Sequence, residues 1–257
     1  TARTGIKERR ILKDDSKGTS YLAIMAAKDL MAKANLDPLE IDLVIVATAT
    51  ADMPVAATAA YVATEIGATN AFGYDLQAAC SSFLFGMSTA AAYIQSGRYK
   101  KVLLIGADKM SSIVDYTDRA TCIIFGDGAG AALFEPNYEG LGVLDEYLRS
   151  DGIGRDFLKI PAGGSLIPTT IDTVKENRHN IIQDGKTVFK YAVTNMADAS
   201  EQILKRNNLT NEDVDWLVPH QANKRIIDAT ASRMNLEEEK VLMNIERYGN
   251  TTSATLP

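Results

Sequence analysis

The 257-residue sequence predicts an α/β fold with a largely parallel sheet, built as two similar halves. Apolar segments of strand length alternate with segments of helical periodicity, and this alternation is typical of parallel sheets with crossover helices. The second observation is an internal repeat. Asn-Leu, acidic residues and a strand-like run follow a helical stretch at both Asn35 and Asn208. A repeat in the same sequence context favours a duplicated α/β unit.

Hydrophobic spacing predicts the elements of the first half. The segment IDLVIVATAT is almost continuously apolar, as expected of a strand covered on both faces, and KKVLLIGAD is a second such strand. Apolar residues recur at helical spacing in residues 20–35, 55–66 and 81–95. In the last of these stretches small residues separate the large apolar ones. This pattern predicts a central buried helix that another element approaches closely.

A glycine-rich segment, TCIIFGDGAGAALFEP, is interpreted as two strands joined by a tight glycine turn. A phosphate-binding loop is disfavoured, because GDGAGA lacks a Gly-Lys-Ser/Thr ending and its third glycine comes too early for G-x-G-x-x-G. Residues 145–185 contain PAGGS and many polar residues, which predicts a loop excursion rather than sheet. The chain is thus divided into an N-terminal half, residues 1–144, and a C-terminal half with the excursion, residues 145–257.

Composition argues against several classes of protein. A net charge of −6 disfavours a general nucleic-acid binder, and no apolar run reaches the roughly 18 residues that suggest a membrane span. Two cysteines do not make a disulfide framework. The chain starts at Thr1 without a signal peptide, so we expect a processed or truncated cytoplasmic protein. With two histidines and no C-x-x-C or H-E-x-x-H pattern, no metal site is expected.

Three polar residues lie at predicted junctions between a strand and a helix. Cys80 precedes a helix, where the helix dipole favours the nucleophilic thiolate, although a buried structural cysteine is the alternative. His220 follows DWLVP and Asn250 lies in NIERYGNTTSATLP; a structural histidine and a turn or helix cap are their alternatives. Cys122 and His179 are interpreted as a structural and a surface residue. Strand ends are where open α/β folds build sites, so the three together favour an active site.

Longer motifs make the sequence resemble one family. They are DLQAACSSF, TDRATCIIFGDGAGAAL, DWLVPHQANKRII, RYGNTTSA and, near the start, RTGIKERR. The chain resembles β-ketoacyl-acyl-carrier-protein synthase III of the thiolase superfamily over essentially its whole length. The resemblance implies a thiolase-like, duplicated α-β-α-β-α five-layered fold, here lacking the family's N-terminal strand and C-terminal segment. It also implies a catalytic triad of Cys80, His220 and Asn250.

The resemblance further implies a reaction and its partners. Cys80 would take a short acyl group from acyl-coenzyme A, and His220 and Asn250 would stabilise the thioester oxygen of malonyl-acyl-carrier protein as it loses carbon dioxide. Coenzyme A is a substrate here, and no cofactor or metal is needed. The protein is therefore expected to be a homodimer and to initiate fatty-acid synthesis.

Several other residues take roles only through this resemblance. Arg3 and Arg119 match positions that contact coenzyme A, and Asn223 supports the site on the pantetheine side. The acidic carrier protein would dock on a cationic patch. The patch comprises Lys190, Lys224 and Arg225.

Met53, in ATATADMPVAA, falls near a position where family members often carry a phenylalanine that lines the acyl pocket of the partner subunit. An adaptable methionine there predicts tolerance of primers longer than acetyl. The alternative is a core methionine far from the acyl chain.

Two alternative functions use the same triad: an acyltransferase or ketosynthase of secondary metabolism, and a Cys-His-Asn thioester hydrolase. A catalytically silent structural paralogue is disfavoured because all three triad residues are present.

Overall fold

The computed structural model describes residues 4–257 and divides into two compact units. The sheet unit comprises Arg10–Lys109, Gly126–Glu146 and Thr251–Pro257. The helical unit comprises the chain up to Arg9, Met110–Phe125 and Tyr147–Asn250. The division at residues 144 and 145 predicted from the sequence concerns a duplication, which this grouping does not test, and it stays a prediction.

The structure alternates helices and strands as the sequence predicts. The helices are α1 (Thr19–Ala34), α2 (Thr58–Glu65), α3 (Ser82–Gln95), α4 (Ile171–Lys175), α5 (Gly185–Arg206), α6 (Lys224–Arg233) and α7 (Ile245–Tyr248). The strands are β1 (Leu43–Ala47), β2 (Phe72–Leu76), β3 (Val102–Lys109), β4 (Asp127–Phe134), β5 (Leu158–Lys159) and β6 (Ile182–Gln183). Among residues 4–257, no helix combines the length and the hydropathy that crossing a bilayer requires.

The sheet unit is built on a four-stranded sheet of order β2-β1-β3-β4. The pairs β1–β2 and β1–β3 are parallel, while β4 runs antiparallel to β3. The side chains of β1 explain why its sequence is continuously apolar. Val44 and Val46 pack in the cluster that holds residues of α1 and α2, whereas Leu43 and Ile45 pack in the cluster that holds Phe83 of α3. Both faces of β1 are therefore buried, as predicted.

Helix α3 lies close to the sheet because it carries a glycine at the contact. A Cβ atom on Gly86 would lie 2.4 Å from Cδ1 of Leu104, a residue of β3. This confirms the close approach predicted from the small residues of this helix.

The glycine-rich segment is one strand, so the predicted tight turn is wrong. Asp127–Phe134 pair continuously with β3, and residues 119–124 before them form turns rather than a strand. Instead, the glycines allow other parts of the chain to pack closely against the backbone of β4. A Cβ atom on Gly128 would meet Cγ2 of Thr251 at 3.1 Å, and one on Gly130 would meet the main chain of Pro257 at 2.7 Å. Glycine inside a strand commonly marks such an approach.

The helical unit differs from the expectation at three further points. The excursion is mostly irregular, but β5 and β6 form a small antiparallel sheet within it. The segment DVDWLVP contributes only an isolated bridge between Leu217 and Val241 instead of a strand. Asn250, predicted to follow a strand, instead follows the short helix α7.

The two repeat copies share a helix end. Asn35 and Asn208 both have left-handed backbone angles, with φ of 50° and 54°. The following leucine N–H donates to the carbonyl five residues back in each copy, which is the Schellman arrangement. The same ending recurs at Asn235, so it is a local helix stop and does not by itself establish duplication.

Candidate active site

Cys80 lies in a single 3-10 turn, Ala79–Ser81, directly before α3. The cysteine is half-buried and forms no disulfide. The unsatisfied N–H groups and the positive end of the dipole of a helix of this length favour a negative charge at that end. The first turn, Ser-Phe-Leu-Phe, contains no acidic side chain to oppose this effect. The predicted position of Cys80 at the start of a helix is confirmed.

The backbone around Cys80 is held in an uncommon conformation. Ala79 has φ of 48°, in the left-handed region that residues other than glycine rarely adopt. The buried hydroxyl of Ser82 fixes this conformation. It accepts a hydrogen bond from the Ala78 N–H at 2.7 Å and donates one to the Ala79 carbonyl at 2.7 Å. The turn thus presents Cys80 rigidly at the start of α3.

A second turn of the sheet unit, Thr252–Thr255, packs against the Cys80 turn. Ser253 anchors it in the sheet: its N–H donates to the Asp108 carboxyl at 3.0 Å, and its hydroxyl bonds to the same carboxyl and to the Ala47 carbonyl. Gly106 makes room, since a Cβ atom there would lie 2.4 Å from the Ser253 carbonyl oxygen. Ser82, Asp108 and Ser253 were not identified from the sequence. An acid at the end of the apolar run VLLIGAD was the available signal for Asp108.

His220 belongs to the helical unit, between the Leu217 bridge and the start of α6. His220 is half-buried, and this burial lowers the pKa of its ring to about 4. Burial acts in this direction because it disfavours the charged imidazolium. At neutral pH the ring is therefore uncharged and carries one N–H donor. His179, by contrast, is exposed, as predicted.

Asn250 is buried at the end of the helical unit. It follows α7 and Gly249, whose φ of 68° turns the chain, and its N–H donates to the Ile124 carbonyl at 3.0 Å. Gly249 is needed for this path, because a Cβ atom would lie 2.7 Å from the Ile124 oxygen. Asn250 and His220 therefore share one unit, while Cys80 lies in the other.

Gln221, next to His220, was quoted in the HQAN motif but not identified as functional. It is almost fully buried, and its amide hydrogen-bonds at both ends. Asn223 of the same motif caps α6, since its Oδ1 accepts from the Arg225 N–H at 3.0 Å. The role of Asn223 on the pantetheine side, which the family resemblance implies, stays a prediction.

The residues predicted to dock the carrier protein lie on two packed helices, α5 and α6. Lys190 and Arg225 are exposed, and the Arg225 guanidinium lies 4.8 Å from the ring centre of Phe189, beside Lys190 in the chain. Lys224 is engaged instead in an ion pair with Asp228 at 2.7 Å. The free positive charge of this surface therefore comes mainly from Lys190 and Arg225.

The remaining predicted residues occupy different environments. Arg119 is exposed in the turn before β4, and Arg3 lies outside the described residues. Met53 is 58% exposed, which excludes the core alternative. Its neighbour Asp52 is fixed, because the carboxylate accepts from the Ser20 N–H of α1 at 2.9 Å. Within the described part of the chain, no three His, Cys, Asp or Glu side chains converge as a metal site requires.

Comparison with known proteins identifies the family. The family models for 3-oxoacyl-[acyl-carrier-protein] synthase III and for its C-terminal domain match residues 74–152 and 204–257. The chain is 58% identical over 259 residues to the beta-ketoacyl-[acyl-carrier-protein] synthase III of Chlorobaculum tepidum, covering 100% of this chain and 79% of that protein. It is 55% identical to synthase III 1 of Bacteroides thetaiotaomicron, covering 99% of this chain and 76% of that protein.

A solved structure agrees with these sequence relatives. The crystal structure of 3-oxoacyl-[acyl-carrier-protein] synthase III from Aquifex aeolicus superposes with a TM-score of 0.91 at 38% identity, covering 100% of this chain and 78% of that chain. The predicted thiolase-like α/β fold is therefore confirmed. The chain belongs to the β-ketoacyl-acyl-carrier-protein synthase III family and is an acyltransferase, a condensing enzyme of fatty-acid initiation.

Proposed function

We propose that the protein condenses a short acyl group from acyl-coenzyme A with malonyl-acyl-carrier protein, using Cys80, His220 and Asn250. The observation that carries the assignment of roles is the neutral His220. Because burial lowers its pKa to about 4, the ring enters the reaction at neutral pH as a hydrogen-bond donor without charge. A neutral donor suits a thioester oxygen that becomes negative during the reaction.

The first half-reaction transfers the acyl group. The Cys80 thiolate attacks the carbonyl carbon of the acyl thioester, a new carbon–sulfur bond forms, and the bond to coenzyme A breaks. Coenzyme A leaves as its thiolate and takes up a proton. The position of Cys80 at the start of α3 supports the thiolate, and the rigid Ala79–Ser81 turn supports its orientation.

The second half-reaction forms the new carbon–carbon bond. The malonyl thioester loses carbon dioxide, and the electron pair moves onto its thioester oxygen. The His220 N–H and the Asn250 amide donate hydrogen bonds to that oxygen. The carbanion then attacks the acyl carbon on Cys80, and the sulfur leaves as thiolate. An uncharged asparagine suits the third position because it does not compete for the proton.

The partners follow from the same chemistry. An acyl-coenzyme A would contact Arg119, and the acidic carrier protein would dock on Lys190 and Arg225, which are exposed cations. Electrons balance without a redox cofactor. Two cysteines that form no disulfide agree with work in a reducing cytoplasm, and the family resemblance supports a homodimer.

Product analysis tests the proposal directly. The protein is incubated with acetyl-coenzyme A and malonyl-acyl-carrier protein, and the carrier is analysed by mass spectrometry. We expect acetoacetyl-carrier protein and carbon dioxide in equal amounts. Release of coenzyme A with free acetate and no new carrier product would instead establish a thioester hydrolase and overturn the proposal.

A further inference from the structure

Gln221 is 1% exposed, and its side-chain amide makes four hydrogen bonds, all to main-chain atoms. Its Nε2 donates to the carbonyl oxygens of Pro219 at 2.9 Å and Leu242 at 3.1 Å. Its Oε1 accepts from the N–H groups of Asn244 at 3.1 Å and Ile245 at 3.0 Å. A buried amide with four satisfied bonds has one orientation only, because a flipped amide would face donors with donors.

These bonds join the two parts of the helical unit that carry the proposed oxyanion donors. Pro219 immediately precedes His220. Ile245 is the first residue of α7, and that single turn leads through Gly249 to Asn250. The path is stiff, since the Gly249 N–H donates to the Ile245 carbonyl at 2.9 Å. Gln221 thus connects the His220 segment with the helix that ends at Asn250.

We propose that Gln221 is a positioning residue that sets the spacing of the His220 and Asn250 donors. The inference rests on the proposed function, in which both donors bind one thioester oxygen. Donors act on a developing charge only when they are held at hydrogen-bond distance from it, and misplacement by about 1 Å costs on the order of 10²-fold in rate. An amide is required at this position because it must donate at one end and accept at the other.

A merely structural role makes a different prediction. Loss of a buried, hydrogen-bonded side chain lowers stability, and both half-reactions would then fall together with the folded fraction. A positioning role lowers the malonyl step and spares acylation of Cys80, which needs neither donor in the proposed mechanism. The ratio of the two half-reactions therefore separates the two roles.

The experiment compares Gln221→Met with Thr230→Val as a matched control. Thr230 is equally buried in the same unit, and its hydroxyl donates within α6 to the Ile226 carbonyl, which the proposed mechanism does not use. We expect Gln221→Met to lose about 10–100-fold in malonyl-carrier decarboxylation while acylation by acetyl-coenzyme A stays within about threefold. Thr230→Val should change neither rate per folded molecule. Equal losses in both half-reactions of Gln221→Met, or an unchanged decarboxylation rate, would overturn the proposal.

Gln221→Glu covers the case in which the methionine variant does not fold. At high pH the carboxylate faces two carbonyl oxygens without a donor, whereas the protonated acid regains one O–H donor. We expect its decarboxylation rate relative to wild type to rise as the pH falls, with no such rise in acylation. A flat ratio would contradict positioning by the amide. If wild type itself carries out neither half-reaction, the proposed function fails, and this outcome is distinct from any result on Gln221.

Discussion

The hydroxyl of Ser253 hydrogen-bonds to the carboxyl group of Asp108 at a place in the sheet unit from which water is excluded. The same hydroxyl lies 2.7 Å from the Ala47 carbonyl oxygen, so its single proton has two acceptors. A neutral Asp108 resolves this conflict, because the acid can donate to Ser253 while Ser253 donates to Ala47. Burial raises the pKa of Asp108, in spite of opposing hydrogen bonds from Ser253, Ala49 and Thr50.

Asp108 should make stability depend on pH. The unfolded carboxyl ionises near 3.8, and the native one ionises at higher pH. The stabilisation that the neutral group provides is therefore complete below pH 3.8 and is lost as the pH rises through the native pKa. We expect the free energy of unfolding of wild type, minus that of Asp108→Asn, to fall as the pH rises from 4 to 8 in urea titrations.

Asp115→Asn is the matched control for this measurement. Hydrogen bonds from Thr117 lower the pKa of Asp115, so its contribution is present above its unfolded pKa and is lost as the pH falls. The corresponding difference should therefore stay nearly constant from pH 4 to 8 and decrease only as the pH falls below the unfolded pKa of 3.8. A wild-type minus Asp108→Asn difference that is constant or rises with pH would show that Asp108 is ionised in the native state.

Cys80→Ser should abolish covalent acylation by acetyl-coenzyme A, whereas Cys122→Ser should not. The reason is that Cys80 precedes α3 and Cys122 lies in a turn before β4. Mass spectrometry of the intact protein after incubation with acetyl-coenzyme A measures the adduct directly. An acyl adduct that is retained in Cys80→Ser would show that Cys80 is not the nucleophile.

His220→Ala and Asn250→Ala should still acylate Cys80 but lose malonyl decarboxylation, each by about 10²–10³-fold, the usual effect of removing one oxyanion donor. In wild type, titration of His220 should leave the decarboxylation rate unaffected until the pH approaches its pKa of about 4. His179→Ala is the control, because His179 is exposed, and it should change neither the acylation rate nor the decarboxylation rate. Equal loss of both half-reactions in His220→Ala would mean that His220 mainly activates Cys80.

Lys190→Glu should raise KM for malonyl-acyl-carrier protein and leave KM for acetyl-coenzyme A unchanged. The exposed lysine lies beside the Arg225–Phe189 contact, and reversing its charge would repel an acidic partner. Lys205→Glu, an exposed residue in the last turn of the same helix, is the matched control. If the two variants had similar KM values for malonyl-acyl-carrier protein, the carrier protein would not dock at Lys190. The increase in KM caused by Lys190→Glu should become smaller at high salt, because salt screens exposed charges.

Met53→Phe should narrow the choice of primer. One methylene in an apolar pocket is worth about 1–3 kcal/mol, so a rigid ring in place of methionine should disfavour longer acyl chains. The exposed side chain follows the fixed residue Asp52, which suits a pocket wall supplied to another subunit. We expect kcat/KM for butyryl- and branched acyl-coenzyme A to fall relative to acetyl-coenzyme A. An unchanged ranking of primers would show that Met53 does not line the pocket.

The sequence by itself determined the elements whose cause is local. The continuous apolar run of β1 predicted a strand buried on both faces. The helical spacing of the apolar residues in α3, with small residues between them, predicted a central buried helix. Asn35 and Asn208 ended their helices as Asn-Leu patterns predict. Cys80 at the start of a helix followed from the same reasoning. Periodicity and end signals act over a few residues, so they can be read from the chain alone.

Only the tertiary structure decided the features that depend on distant neighbours. The glycines of β4 lie in a strand that pairs with β3, and these positions are glycine because Thr251 and Pro257 pack where side chains would stand. Asp108 can be buried because Ser253 and Ala49, just after β1, supply hydrogen-bond partners for its carboxyl group. Gln221 connects His220 with the helix before Asn250 through bonds to main-chain atoms more than twenty residues away. Such hydrogen bonds leave no periodic trace in the sequence, because main-chain partners are the same for every residue type.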